Sequence, residues 1–417
     1  NELYGKKFPK YFRKEHVSYY MEESPDELAV INYTSGTTGF SKGVMLPYRA
    51  LWSNYDFAVY VLGKQIKPGD RVISMLPMAH MYGLAFEFLY PLCFGCHIYF
   101  LTRTPSPKII LQAFAEVKPE LVIAVPLIIE KIVKKNVLPK LETPTMKFLM
   151  HVPLVSDKIK ATVREQVMNA FGGNFYEIVV GGAAFNQEIE SFLRSIDFPY
   201  TVGYGMTECG PIISYEDWSA FKVGSCGKAA PRMEVKILSV DPQNVPGEIV
   251  TRGDNVMLGY YKNDEATAGV IDEEGWLHTG DLASMDAEGF ITIRGRKKSL
   301  IVNREGKNIY PEEVELCIGR DDRLLDILVL GYRDQQEVGE KVGAIIVPNA
   351  ERFKKADGTQ MSETEIEAEV RAIVQTQCGD LATYKHPRKV DVRFEPLKRT
   401  AAMKIQRKTY QGQLDRP

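Results

Sequence analysis

Apolar and polar positions alternate along the first half of the chain in a pattern that changes period. Short apolar runs at Ala29–Tyr33, Arg71–Leu76, Leu121–Val125, Glu177–Val180 and Tyr200–Val202 read as strands. Between them, Pro47–Leu62, Pro107–Val117, Leu127–Val137 and Asn186–Ile196 carry helical periodicity, several with Pro at or near the first turn. Strands that alternate with helices predict a parallel sheet covered on both faces. Leu84–Leu101 is the longest apolar stretch, but Glu87, Pro91, Gly95 and His97 interrupt it, so a buried helix followed by a buried strand is expected there.

From about Val223 the texture changes. Runs at Glu234–Leu238, Glu248–Thr251 and Phe290–Ile293, separated by Gly, Asp and Asn, predict a small antiparallel β subdomain over about 223–297. After Gly295–Lys298, amphipathic Pro311–Ile318 and Glu363–Gln377 flank strand-like Ile327–Leu330 and Val342–Val347. The expected class is therefore α/β. A large N-terminal domain (1–297) of parallel sheets and β subdomain precedes a small mobile α+β C-terminal domain (298–417).

Composition narrows the functional classes. The chain has 417 residues, 52 basic against 54 acidic, for a net charge of −2. No global field recruits nucleic acid or an anionic membrane, so anion binding must come from local sites. Six Cys in this length are too sparse for a disulfide scaffold, which makes a reducing, cytoplasmic setting the default. Cys93-Phe94-Gly95-Cys96-His97 spells the c-type haem attachment pattern, yet its apolar flanks favour a buried helix-to-strand turn. The chain opens on Asn1 without an apolar leader, which suggests a fragment lacking part of the large domain, with a sheet edge and apolar surface left bare.

The strongest chemical signal is Tyr33-Thr34-Ser35-Gly36-Thr37-Thr38-Gly39-Phe40-Ser41-Lys42-Gly43, placed just after a predicted strand. Its glycines let backbone amides converge on an anion, four hydroxyls add donors, and Lys42 adds a point charge. This is phosphate-handling chemistry. It is not a Walker A loop, because Lys42 sits between Ser41 and Gly43.

That loop is followed in order by Gly203-Tyr204-Gly205-Met206-Thr207-Glu208, Gly275-Trp276-Leu277-His278-Thr279-Gly280-Asp281 and Gly295-Arg296-Lys297-Lys298. The series resembles the adenylate-forming superfamily, and within it Val125-Pro126-Leu127-Ile128-Ile129-Glu130-Lys131-Ile132, Gly181-Gly182-Ala183-Ala184 and Gly306-Lys307-Asn308-Ile309-Tyr310-Pro311-Glu312-Glu313 resemble the bacterial long-chain acyl-CoA ligases. The resemblance implies that a carboxylate attacks the α-phosphate of ATP, releasing pyrophosphate, and that coenzyme A then displaces AMP. It implies that Thr34, Ser35, Gly36, Thr37, Thr38, Gly39 and Lys42 hold ATP phosphates. Thr207 would bond the α-phosphate and Glu208 would ligate Mg²⁺. Gly181, Gly182 and Ala183 would pack on adenine, with Tyr204 stacking on its other face and Gly205 also binding ATP. Asp281 would accept the ribose hydroxyls, backed by Arg296.

His80, in Pro77-Met78-Ala79-His80-Met81-Tyr82-Gly83, matches a histidine near the acyl carboxylate. Taken alone it reads as structural, and its place between the phosphate loop and Glu208 promotes it. Lys404 matches the adenylation lysine, although Met403 stands where relatives commonly have Gly, as Ser41 stands for Pro. Lys298 occupies the hinge position and Gly306 would face the thiol tunnel. Residues 385–417 hold ten Lys/Arg against three Asp/Glu, a basic tail that suits either solvent or coenzyme A phosphates. The expected substrates are ATP, a fatty acid and coenzyme A, without nucleic acid or a transmembrane segment, peripheral membrane contact staying open. Another acid (an aryl acid), a carrier-protein acceptor and an inactive nucleotide-binding relative remain the alternatives.

Overall fold

The computed structural model describes residues 6, 24–34, 41–103, 105–136, 155–321, 323–333, 339–399 and 405–415. Its first two strands, β1 (Leu28–Thr34) and β2 (Lys42–Pro47), pair antiparallel, with Thr34 opposite Lys42. This corrects the expectation that the first strand belongs to the parallel sheet. The connection after Thr34 returns into a partner strand that the sequence pattern did not reveal.

The parallel sheet is built from β3 (Arg71–Ser74), β4 (His97–Phe100), β5 (Leu121–Ala124), β6 (Glu177–Val180) and β7 (Tyr200–Val202), in the order β4-β3-β5-β6-β7. Its central strands are apolar on both faces because both are covered. Val72, Leu121, Ile123 and Val179 pack in one core with α1 (Tyr48–Leu62) and the helical stretch 81–94 (α2). Ile73, Val122, Ala124, Ile178 and Val180 enter the opposite core. There they meet α3 (Pro107–Val117), α4 (Pro126–Asn136), α5 (Val155–Ala170) and α6 (Gln187–Ser195). The two-residue period of a strand sends neighbours into different cores, which is why each run looks uniformly hydrophobic.

Strand β4 is not the buried strand expected after α2. It lies at the sheet edge, with Tyr99 43% and Phe100 50% exposed. Cys93 is likewise exposed, and the chain turns at Gly95 with φ of 88°. The six cysteines are all free thiols.

Strands β8 (Tyr204–Gly205), β9 (Ile212–Tyr215) and β10 (Lys228–Ala229) form a small antiparallel sheet. A four-stranded antiparallel sheet follows, built from β11 (Met233–Leu238), β12 (Gly247–Gly253), β14 (Leu277–Met285) and β15 (Ile291–Arg296). Between β12 and β14, β13 (Gly259–Tyr260) leaves to pair with β2. Asp281 lies inside strand β14, in spite of the flexible Gly280 before it.

Beyond the short hairpin of β16 (Ile301–Val302) and β17 (Asn308–Ile309), the C-terminal region has its own core. Strands β18 (Leu324–Tyr332) and β19 (Lys341–Pro348) are antiparallel, and β20 (Lys389–Val392) adds parallel to β19. Helices α7 (Pro311–Ile318) and α8 (Glu363–Gln377) pack on them through Val314, Ile318, Ile366, Val370 and Ile373. Ser362 and Glu365 close a capping box at the start of α8. Among the described residues, no helix is long and apolar enough to cross a membrane.

Candidate functional site

The carboxyl ends of the parallel strands gather three of the sequence-predicted segments. His80 follows β3, Gly181, Gly182 and Ala183 follow β6, and Tyr204–Glu208 follow β7. Ligands of open α/β sheets bind in the crevice outside these ends. The ladder continues past the strands, with the Gly181 amide bonded to the Ala124 carbonyl at 3.0 Å and Gly203 to Val180 at 2.9 Å.

Two glycines here are fixed by close approach. A Cβ on Gly181 would stand 3.1 Å from the ring of Tyr82, whose hydroxyl donates to the Val179 carbonyl at 3.0 Å. The residue two beyond His80 thus packs directly against the glycine strip. A Cβ on Gly205 would lie 2.2 Å from the Pro211 carbonyl oxygen, so only hydrogen fits.

Asp281 comes from the antiparallel sheet and meets this cluster. Its side chain is almost fully buried, and it accepts from the Tyr204 hydroxyl at 2.7 Å and from Arg296 Nε at 3.0 Å. Arg296 is its cross-strand partner in the β14–β15 register. A carboxylate has about four acceptor sites, so two partners leave room for a pair of hydroxyl donors. Burial and the adjacent Asp281 push the Tyr204 phenol well above its usual range, keeping it a donor.

Glu208, in the short turn Thr207–Cys209, is 8% exposed and accepts from the Tyr260 hydroxyl at 2.9 Å. Lys42 lies over the same tyrosine ring, 4.3 Å from its centroid. Tyr260 therefore touches both a cation of the glycine-rich segment and the carboxylate assigned to Mg²⁺. Nothing in the sequence pointed to it, because it sits 52 positions from Glu208 on a two-residue strand. Among the described residues no three His, Cys, Asp or Glu converge as a metal cage. One carboxylate oxygen donor suits a hard ion that takes its other ligands from phosphate and water, so Glu208 fits Mg²⁺ on those terms.

A second network supports Asp281 from behind. Glu248 on β12 accepts from the Gly280 amide at 3.1 Å and from Lys297 Nζ at 2.9 Å, with His278 Nδ1 at 3.4 Å. Burial would raise this carboxyl, but Lys297 and His278 outweigh it and hold Glu248 below the usual range. Glu248 thereby ties the residue before Asp281 to the residue before Lys298. Lys298 itself is exposed on the turn Lys297–Ser299.

Gly306 lies in a turn closed by its amide on the Asn303 carbonyl. Its φ is +74° and a Cβ would meet nothing within 4 Å. Backbone conformation, and not crowding, demands glycine here. Ser35, Gly36, Thr37, Thr38, Gly39, Met403 and Lys404 lie outside the described residues, whereas Thr34 and Lys42 bracket the loop as strand partners.

The described residues on either side of Lys404 are held by internal partners. Arg399 bridges to Ile405, Asp326 accepts from Arg399 and from the Leu397 amide, and Glu315 accepts from Arg407 at 2.5 Å. Much of the basic tail is thus spent on internal partners, with Lys385 on Glu313 and Arg393 on Asp391 as further cases.

Comparison with known proteins accords with this arrangement. The family model described as AMP-binding enzyme matches residues 5–261. The chain is 30% identical over 325 residues to long-chain-fatty-acid–CoA ligase ACSBG2 of Rattus norvegicus, covering 72% of this chain and 48% of that protein. It is 30% identical over 361 residues to 4-coumarate–CoA ligase 1 of Oryza sativa subsp. japonica, covering 82% and 56%. The chain spans about half the length of the curated relatives it matches. Among solved structures, o-succinylbenzoate coenzyme A synthetase (MenE) of Bacillus subtilis with ATP and magnesium ion superposes with a TM-score of 0.71 at 26% identity, over 92% of this chain and 70% of that one. With three strand-end segments, a buried Asp281 and a family match over more than half its length, the chain belongs to the AMP-binding, adenylate-forming enzymes.

Proposed function

We propose that the protein activates a long-chain fatty acid with ATP to an acyl-adenylate and then transfers the acyl group to coenzyme A. The observation that supports this most is the convergence of Asp281, Arg296 and Tyr204 beside the glycine strip and the His80 segment. In this reading Asp281 takes the ribose hydroxyls, the strip offers a side-chain-free surface for adenine, and His80 stands near the acid's carboxylate. Thr207 bonds the α-phosphate, and Lys42 with the hydroxyl-rich loop binds the outer phosphates.

Glu208, held by Tyr260, would carry Mg²⁺, which neutralises phosphate charge when bound. A carboxylate is a poor electrophile because oxide is its leaving group, and conversion to a mixed anhydride makes AMP the leaving group instead. Catalysis of such a transfer depends on positioning and charge stabilisation. Lys404 would supply a cation for the first half-reaction and withdraw for the second by rotation of 298–417 about Lys298, with Gly306 beside the incoming thiol.

A second reading has support in the relatives named for 4-coumarate and o-succinylbenzoate: the acid is aromatic. Acid-dependent exchange of labelled pyrophosphate into ATP, run over alkanoates and aryl acids on the intact protein, separates the two. Long-chain alkanoates should give the fastest exchange, and faster exchange with aryl acids replaces the first reading by the second. Added coenzyme A should convert the adenylate to a thioester; a stalled adenylate would point to a carrier-protein acceptor.

A further inference from the structure

Behind the His80 segment lies a carboxyl group that the chemistry above does not use. Glu87 is 0% exposed and lies on the π-helical part of α2, Leu84–Leu89. Pro91 lacks an amide hydrogen for the Glu87 carbonyl and its ring would crowd that oxygen in an α-helix. The backbone widens instead, and the Tyr90 amide bonds to Ala85.

From this position Glu87 Oε2 accepts the amides of Met75 at 2.9 Å and Leu76 at 2.8 Å, the first two residues after β3. The same loop is held from the other side, where Asn32 Nδ2 donates to the Ala79 carbonyl at 2.9 Å. A Cβ on Gly83 would lie 2.9 Å from the Pro77 carbonyl oxygen, so helix and loop meet at bare backbone. Glu87 Oε1 has no hydrogen-bond partner among the described residues. Burying a carboxyl with one oxygen unpaired costs stability that an apolar residue would not. Burial raises its pKa to about 8 against the Leu76 and Met75 amides and the Ser74 side chain, so the group is mostly neutral near pH 7.

We propose that Glu87 is a positioning residue: with Asn32 opposite, it fixes the Met75–Ala79 loop so that His80 is presented to the acid substrate. The inference rests on the function proposed above and adds a residue that acts through His80. Glu87 touches no reactant.

The test uses pyrophosphate exchange on the intact protein, with KM measured separately for acid and ATP. Glu87→Ala should raise the KM for acid about tenfold and leave the KM for ATP within about twofold. Glu87→Gln, which keeps a side-chain oxygen for the two amides, should restore most of the loss. In a His80→Ala background, Glu87→Ala should add little, because its effect runs through His80.

Should Glu87→Ala fold poorly, Asn32→Ala releases the same loop from the other side and should shift acid KM in the same direction. Amide exchange at Met75 and Leu76 gives a readout independent of turnover, accelerated in Glu87→Ala and near wild type in Glu87→Gln. Equal changes in acid and ATP parameters, full additivity with His80→Ala, or unaccelerated amides each overturn the inference. A wild-type protein that exchanges with no acid at all overturns the proposed function instead, and is seen before any variant is made.

Discussion

The parallel-sheet half and the C-terminal region both bury carboxylates beside candidate site segments, but they stabilise them differently. In the first, Glu87 and Glu177 are held by backbone amides and a hydroxyl. Glu177 takes Tyr215 and the Trp218 amide, and burial pushes both glutamates up to about 8. In the second, Asp326 meets Arg399, and Glu315, which burial pushes up to about 7 against the opposing Arg407, accepts from Arg407 and from the Val329 amide. Neutral acids bonded to fixed amides lock a loop onto a rigid sheet. Carboxylate partners hold Arg399 and Arg407 against the smaller core by charge that burial of the carboxylates partly shields from salt. The division suits the proposed roles, in which the acid and nucleotide stay put while the segment carrying Lys404 travels.

The comparison breaks first at Lys404. Lys404→Ala should slow acyl-adenylate formation roughly 100- to 1000-fold, the scale of one lost charge-stabilising group. Thioester formation from synthetic acyl-adenylate should stay near wild type. Equal losses in both half-reactions, measured by single-turnover quench, would remove the reason for treating the C-terminal region as mobile. On the fixed side, Asp281→Ala should weaken ATP binding by calorimetry about 100-fold, through two lost charge-assisted hydrogen bonds at about 1.5 kcal/mol each.

Stability measurements sharpen the contrast at lower amplitude. Asp326→Ala removes an acceptor of Arg399 and strands the buried Leu397 amide, and should cost about 2 kcal/mol by chemical denaturation. For the neutral acids the sign runs the other way with pH. A carboxyl whose folded pKa of about 8 lies above its unfolded value binds more protons when folded. Stability from Glu177 is therefore present below the unfolded value and declines as pH rises to about 8. Glu177→Gln should flatten that decline, and an unchanged slope would mean that the group is ionised in the fold. The smallest effect is expected at Glu234→Ala, which removes the exposed pair with Arg252 and should cost less than about 1 kcal/mol.

Much of the frame is legible in the sequence because it follows from local periodicity. Helices Pro107–Val117, Pro311–Ile318 and Glu363–Gln377 and strands Glu177–Val180 and Tyr200–Val202 have the bounds their apolar patterns predict. The glycine-rich and Gly-Tyr-Gly segments are readable for a related reason: a backbone that must approach a ligand or another strand needs contiguous small residues. The β1–β2 pairing, the exposed edge at β4 and the strand around Asp281 were not readable, since each depends on a distant neighbour.

The candidate site divides along the same line. The sequence by itself determined which short segments are the candidates for phosphate, ribose and carboxylate chemistry, since those requirements are written in consecutive residues. Only the tertiary structure decided that Tyr260 bonds Glu208, that Glu248 joins Gly280 to Lys297, and that Glu87 and Asn32 grip the two sides of one loop. A buried carboxyl is stabilised by whichever donors the packing of remote elements brings within 3 Å, and no periodicity along a chain encodes that encounter.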